Sequence, residues 1–310
     1  MTRRSGIGAA SVVAFLLAVA CTGPQTSRIV DTPGRLPPDA DLADVPFFPQ
    51  EAYYCGPAAL AMTLAWSGLP ALPDEIESQV YTPGREGTLA SDIVAAARRH
   101  GRLAVPVDDL GDLLAEIAAG HPVIVFQNLA LDWIPQWHFA VAVGYDLPER
   151  QIVLHTGTSE RRRTSLDAFE RTWERAGRWA LLTLPPDVLP VTEDRRSVLA
   201  AAAGLEQAGR HEAAATAYTT MAERWPDMTT AWFGLGNARF AHGDYPAAER
   251  AYRTAVHLNP AMAEAWNNLA YALHRQGRHD EAIAAARTAL STAQGDLTTY
   301  RDTFEEVSVL

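Results

Sequence analysis

Apolar positions between Val45 and Leu184 fall into runs of two kinds. Length and spacing predict helices over Pro57 to Ser67, Ser91 to His100 and Leu110 to Ala119. Runs rich in Val, Phe, Tyr and Trp predict strands over Pro122 to Gln127, Trp137 to Gly144, Gln151 to Leu154 and Arg178 to Leu184. Helices come first and most strands last, an order that predicts an α+β domain over 45–184, a helical lobe beside an antiparallel sheet. Ahead of it, residues 22–44 are rich in Pro, Asp, Gly and Thr without periodicity and predict a flexible tether. Further upstream, Arg3 and Arg4 precede an apolar stretch from Ile7 to Ala20 that is short for a bilayer span and ends in small residues, the layout of an export signal.

Residues 185–194, beginning Pro185-Pro186-Asp187, interrupt all pattern and predict a linker. Beyond it the chain is alanine-rich and periodic: Trp232 and Trp266, Leu235 and Leu269, Gly243 and Gly277, Ala248 and Ala282, and Ala255 and Ala289 are each 34 residues apart. A weaker copy runs through Gly209, Ala214, Tyr218 and Pro226. A helix-turn-helix unit of this length, with Trp232, Leu235, Gly236, Ala248, Tyr252, Ala255 and Pro260, resembles the tetratricopeptide repeat. The resemblance implies an all-α domain of three repeats over 195–298, followed by a C-terminal tail at 299–310. It also implies a concave face that binds a peptide or protein partner, the alternative being that the helices only pack on the first domain.

A formal net charge of −11 argues against a nucleic-acid partner, which calls for a basic face. The one basic cluster, Arg161-Arg162-Arg163, reads as a solvated turn or as a hold on an acidic partner or substrate. There are two cysteines. Leu17-Ala18-Val19-Ala20-Cys21 resembles the lipobox of bacterial lipoproteins, which implies lipidation at Cys21, a signal peptide over 1–21 and a membrane anchor; cleavage without lipidation is the other reading. Thr22 does not resemble the aspartate that often retains lipoproteins in the inner membrane, so the expected address is the periplasmic face of the outer membrane. In an oxidising compartment a lone remaining thiol, Cys55, is expected to be kept for chemistry.

Cys55 ends a loop and opens an apolar run, with Pro57 suited to a first helical turn. At a helix N-terminus the unpaired N–H groups favour an anion, which predicts a lowered thiol pKa. A thiol nucleophile also needs a base and an oxyanion donor. His138, in the strand Trp137 to Gly144, is the candidate base, because an imidazole in an apolar strand calls for a partner. Gln50, five residues before Cys55, is the candidate donor, its side-chain amide converging with the backbone N–H of Cys55. No zinc-type spacing and no glycine-rich phosphate loop stands in the first domain, so neither metal nor cofactor is expected.

Val45-Pro46-Phe47-Phe48-Pro49-Gln50, Cys55-Gly56-Pro57-Ala58-Ala59-Leu60 and His138-Phe139-Ala140-Val141, in that order, resemble the double-glycine leader peptidases of bacteriocin exporters, papain-like cysteine peptidases. The resemblance implies a papain-like fold over 45–184 and hydrolysis of a peptide bond in a peptide or protein substrate. It assigns Cys55 as nucleophile, His138 as base and acid, and Gln50 as oxyanion donor. One departure stands out: where the family orients its histidine with the aspartate of an Asp-Pro step, this chain reads His155-Thr156-Gly157. His155, Thr156, Thr158 and Ser159 are the candidate orienters, or a backbone carbonyl. With no acidic member, a catalytically weak or inactive peptidase-like binding module acting as an envelope scaffold is the alternative. A thioester intermediate is open to water or to an amine, so hydrolysis and acyl transfer draw on the same residues.

Overall fold

A computed structural model describes residues 23–50, 54–82, 84, 87–192 and 194–309. The signal segment and Cys21 lie outside the described residues. Among those described, no helix is long and apolar enough to cross a membrane. The chain divides into two compact units, one comprising residues up to Ala96 with Pro106–Thr183, the other Ala97–Val105 with Leu184 onward.

The elements up to residue 184 are α1 (Pro24–Asp31), β1 (Asp39–Asp41), α2 (Cys55–Trp66), α3 (Pro73–Val80), β2 (Tyr81–Thr82), β3 (Gly87–Thr88), α4 (Ala90–Arg99), β4 (Leu103–Val107), α5 (Leu110–Ala118), β5 (Val123–Asn128), β6 (Trp137–Asp146), β7 (Gln151–Thr156), β8 (Ser159–Ser165), α6 (Leu166–Glu174) and β9 (Ala180–Leu184). The main sheet has the order β4-β9-β5-β6-β7-β8, with β1 also paired to β6. The pairs β1–β6, β5–β6, β5–β9, β6–β7 and β7–β8 are antiparallel. At its centre β6 is buried from Phe139 to Tyr145, which is why it reads as a continuous apolar run. Helix α2 is buried along Gly56–Leu64 on all sides, so the run from Ala58 to Trp66 shows no polar stripe.

Among the described residues, 23–44 are not a tether. From Gly23 on they fold onto the first unit, and a single buried side chain explains it. Glu170 on α6 accepts from Gln25 N (2.9 Å), Thr26 N (2.8 Å) and Thr26 Oγ1 (2.7 Å), placing a carboxylate at the open N-terminus of α1. Gly23 N donates to Asp167 Oδ1 at 2.9 Å, and a Cβ at Gly23 would collide with the Glu170 carboxylate. The Gln25 side chain accepts from Leu110 N at 2.6 Å, and β1 pairs Asp39 with Asp146 and Asp41 with Gly144.

In the second unit α7 (Arg195–Gln207), α8 (His211–Arg224), α9 (Thr229–Ala241), α10 (Tyr245–Leu258), α11 (Ala263–His274) and α12 (His279–Thr292) form three helix pairs, followed by α13 (Thr298–Ser308). The sequence period is also a structural one. Trp232 Nε1 donates to Pro226 O at 3.0 Å, and Trp266 Nε1 repeats the bond to Pro260 O at 2.9 Å. The expected tail at 299–310 is instead helical through Ser308: Val307 is buried in the core made by α10, α11 and α12, with Phe304 packed against it. A closing helix of this kind covers the apolar face that the last repeat leaves open.

Gly236 faces the ring of Tyr252, which is buried and held by its hydroxyl donating to Asn237 Oδ1 at 2.9 Å. A Cβ there overlaps the ring. Gly236→Ala is therefore expected to lose stability by about 1–2 kcal/mol despite alanine's better helix propensity, since overpacking costs more than the roughly 1 kcal/mol that propensity returns. Urea unfolding of the two proteins measures the sign.

Candidate active site

Cys55 is the first residue of α2, and among the described residues no side chain caps that helix start. Burial pushes the Cys55 thiol above its ordinary pKa, against the pull of backbone N–H groups from Phe139, Gly56 and Cys55 itself. The expectation of a lowered thiol pKa is thus corrected: the amide dipoles are present, but taking the sulfur's charge out of water outweighs them. The Phe139 amide sets the sulfur one residue from His138 along β6.

His138 is half-buried, and its Nε2 lies 2.7 Å from Thr156 Oγ1 at the end of β7. Burial first, and the Arg162 guanidinium second, push the imidazole pKa below its ordinary value. Thr156 is thus the candidate orienter that contacts the ring. Thr158, in the following turn, and Ser159, the first residue of β8, are exposed.

His155 has another employment. Its Nδ1 accepts from Arg161 N (3.3 Å), so its Nε2 carries the proton and donates to Val45 O (3.1 Å), while its ring packs against Phe47. Two residues on, Gly157 O accepts from Gln50 N at 3.0 Å. Both ends of the 45–50 loop are therefore tied to the end of β7. Gly157 makes this possible: at φ 56° it is the first central residue of a two-residue hairpin between Thr156 and Ser159, a position suited to glycine. The Gln50 side chain is 5% exposed, and neither Nε2 nor Oε1 has a partner among the described residues. A buried amide left unpaired costs free energy that a ligand can recover.

The arginine cluster lies in β8, not in a turn. Arg161 pairs with Asp41, and Arg163 lies 3.2 Å from Gln151 Oε1 and 3.7 Å from Asp146. Arg161 has φ 57°, at the place where the β7–β8 register slips between Leu154 and Thr156. This bulge sets Arg162 opposite Leu154, on the same side of β7 as Thr156, which explains its effect on His138. Reading the sequence missed two groups here: the Phe139 amide, for which a backbone N–H leaves no sequence signal, and Arg162, whose signal was the cluster itself. Among the described residues no group of three or more His, Cys, Asp or Glu is placed to hold a metal ion.

Residues 42–181 match the Peptidase_C39 like family, and residues 199–249 and 235–296 match the Tetratricopeptide repeat. The chain carries a Peptidase_C39-like domain followed by tetratricopeptide repeats. No curated protein matches it. Among solved structures, one described as a C39-like peptidase from Bacillus anthracis is 18% identical, with 47% of this chain and 97% of that one covered and a TM-score of 0.40. The type III secretion chaperone SycD of Yersinia enterocolitica, in complex with a peptide of the translocator YopD, is 19% identical, with 36% and 90% covered and a TM-score of 0.35. The first tetratricopeptide domain of Spaghetti (RPAP3), bound to an HSP90 peptide, is 17% identical, with 36% and 87% covered and a TM-score of 0.34. In this chain the repeats present a cavity of about 460 Å³ lined by Trp232, Leu235, Arg239, Asp244, Arg250 and Thr254, an apolar wall with charges of both signs.

Proposed function

We propose that this protein is a cysteine peptidase of the cell envelope, lipid-anchored at Cys21 on the periplasmic face of the outer membrane, whose repeats bind a protein partner. The observation that carries the peptidase reading is the unpaired, buried Gln50 amide on a loop whose end is fastened beside the Thr156 that holds His138. A side chain kept dry and without a partner is suited to an oxyanion that forms only during reaction.

In this reading His138, with Nε2–H donating to Thr156 Oγ1, presents the lone pair of Nδ1 to the Cys55 thiol. As Sγ attacks the scissile carbonyl carbon, Nδ1 takes the thiol proton. The oxyanion accepts from Gln50 Nε2 and the backbone N–H of Cys55. Collapse of the intermediate breaks the C–N bond, the leaving amine takes the proton from His138, and water then hydrolyses the thioester.

The resting pair is neutral, because burial raises the thiol and lowers the imidazole. Hydrolysis of a fluorogenic peptide library is therefore expected to follow a broad bell. Its acid limb lies below the ordinary imidazole range, where His138 becomes protonated, and its alkaline limb above the ordinary thiol range, where Cys55 ionises. Arg162→Ala should move the acid limb upward. A peptide aldehyde should add to Cys55 as a hemithioacetal, and Gln50→Ala should weaken that adduct. A second reading, a module that binds peptides without cleaving them, draws on the raised thiol and on the hydroxyl standing where a carboxylate orienter is expected. Peptide binding with neither hydrolysis nor adduct would establish it and remove the first.

A further inference from the structure

Five of the eleven exposed large hydrophobic residues in the described chain lie within nine consecutive positions: Leu129, Leu131, Trp133, Ile134 and Trp137. They occupy the β5–β6 loop and the first residue of β6, where Asp132 is the only charge. Exposed apolar side chains scattered singly need no account, but a cluster does. The loop is also built to hold its shape. Asn128 Oδ1 accepts from Ala130 N (3.1 Å) and Gln136 N (3.0 Å), Leu129 N donates to Gln136 O (2.9 Å), and Ile134 N donates to Leu131 O (3.1 Å). Trp137 stacks on Phe126 at 5.3 Å. The tip is its most exposed part: Trp133 is 75% exposed and Ile134 67%.

The same helix that fastens the start of the described chain fastens this loop. Near the N-terminal end of α6, Asp167 holds Gly23. At the other end Arg175 donates from Nη2 (3.0 Å) and Nε (3.3 Å) to Asn128 O, the root of the loop. The two stand eight positions apart, about 12 Å along the helix axis. Gly23 in turn lies two residues, at most about 7 Å, from Cys21. With the chain folded from Gly23 onward, an anchor at Cys21 would hold α1 and the adjoining end of α6 beside the bilayer and the loop's root within about 20 Å of it.

We propose that the 129–137 loop is a membrane wedge, inserting Trp133 and Ile134 into the headgroup–acyl boundary of the bilayer that holds the N-terminus; this rests on the anchored reading of Cys21. Tryptophan and long aliphatic side chains on a rigid, nearly uncharged projection suit that boundary. A peptide subsite calls for a concavity, whereas the side chains at this tip stand mostly in solvent. A second copy would find on the order of a few hundred Å² here, short of the roughly 800 Å² per partner of a stable interface. Trp137 precedes His138 directly, so the wedge would hold the catalytic strand beside the membrane and favour polypeptides presented at its surface.

The test uses the full-length protein reconstituted in vesicles of phosphatidylethanolamine and phosphatidylglycerol with brominated acyl chains, which quench tryptophan on contact. Quenching is expected, lost for the most part in Trp133→Phe and reduced about two-fold or more in Ile134→Asp. Emission that is unquenched, or quenched equally in Trp133→Phe, overturns the wedge. So does a rise in KM for a peptide substrate in Ile134→Asp with quenching unchanged, which assigns the loop to substrate, or a dimer that Trp133→Phe dissociates. The mass of the Cys21 peptide separates the two readings: an acylated Cys21 without quenching removes the wedge alone, and quenching with Cys21 unacylated keeps the wedge and removes the lipid anchor.

Discussion

Cys55→Ser is expected to lower kcat/KM by about 10³-fold or more, with thermal unfolding little changed. A serine hydroxyl is a far weaker acid than a thiol, so His138 must supply nearly all of the activation. This imidazole is poorly equipped for that: it is partly desolvated, stands within the field of Arg162, and is held by a neutral hydroxyl. In the proposed mechanism the thiol suffices because sulfur remains nucleophilic at a modest thiolate fraction. Thr156→Val isolates the orienter. It preserves the branched shape in β7 and removes only the oxygen 2.7 Å from Nε2, and it is expected to lower kcat by about 10- to 100-fold while leaving KM near its original value. A drop confined to KM would show that Thr156 contacts substrate and does not hold the ring. Thr156→Asp restores a carboxylate and should move the acid limb of the pH profile upward.

Glu170→Ala is expected to detach the N-terminal segment from the C39-like domain, at a cost of about 3 kcal/mol. The carboxylate is wholly buried and accepts three hydrogen bonds from Gln25 and Thr26. Truncation leaves two amides and a hydroxyl dry and unpaired, and empties the space that Gly23 is small enough to approach. Glu170→Gln keeps the volume but turns an NH₂ toward donors, so a smaller loss is expected. Hydrogen exchange locates the effect: amides of Gln25 to Asp31 should lose protection first, and equal loss across the sheet would show that Glu170 serves the whole domain.

Legibility followed how locally each structure is encoded. The run from Ala58 to Trp66 and the strand from Trp137 announced themselves because they are buried on nearly all sides. The 34-residue period was legible because each repeat makes the same bonds, down to the Trp232 and Trp266 indoles. By contrast α1 lies in a polar, proline-containing stretch whose helix is completed by Glu170, 144 residues away. Strand β8 escaped notice because its run of three arginines carries no apolar alternation. The closing helix α13 has few buried positions, chiefly Thr303 and Val307, and only packing reveals them.

The same division runs through the site. Composition and order along the chain offer Cys55, His138 and Gln50 as candidates, because a nucleophile, a base and an oxyanion donor are residue types, and residue types are what a sequence records. Tertiary structure alone decided the upward direction of the Cys55 thiol's pKa, the contact of Thr156 with the imidazole, and the assignment of His155 to the Gln50 loop. Each depends on desolvation or on a hydrogen bond across the sheet, quantities set by which segments pack together and by the bulge at Arg161, and no local pattern carries them.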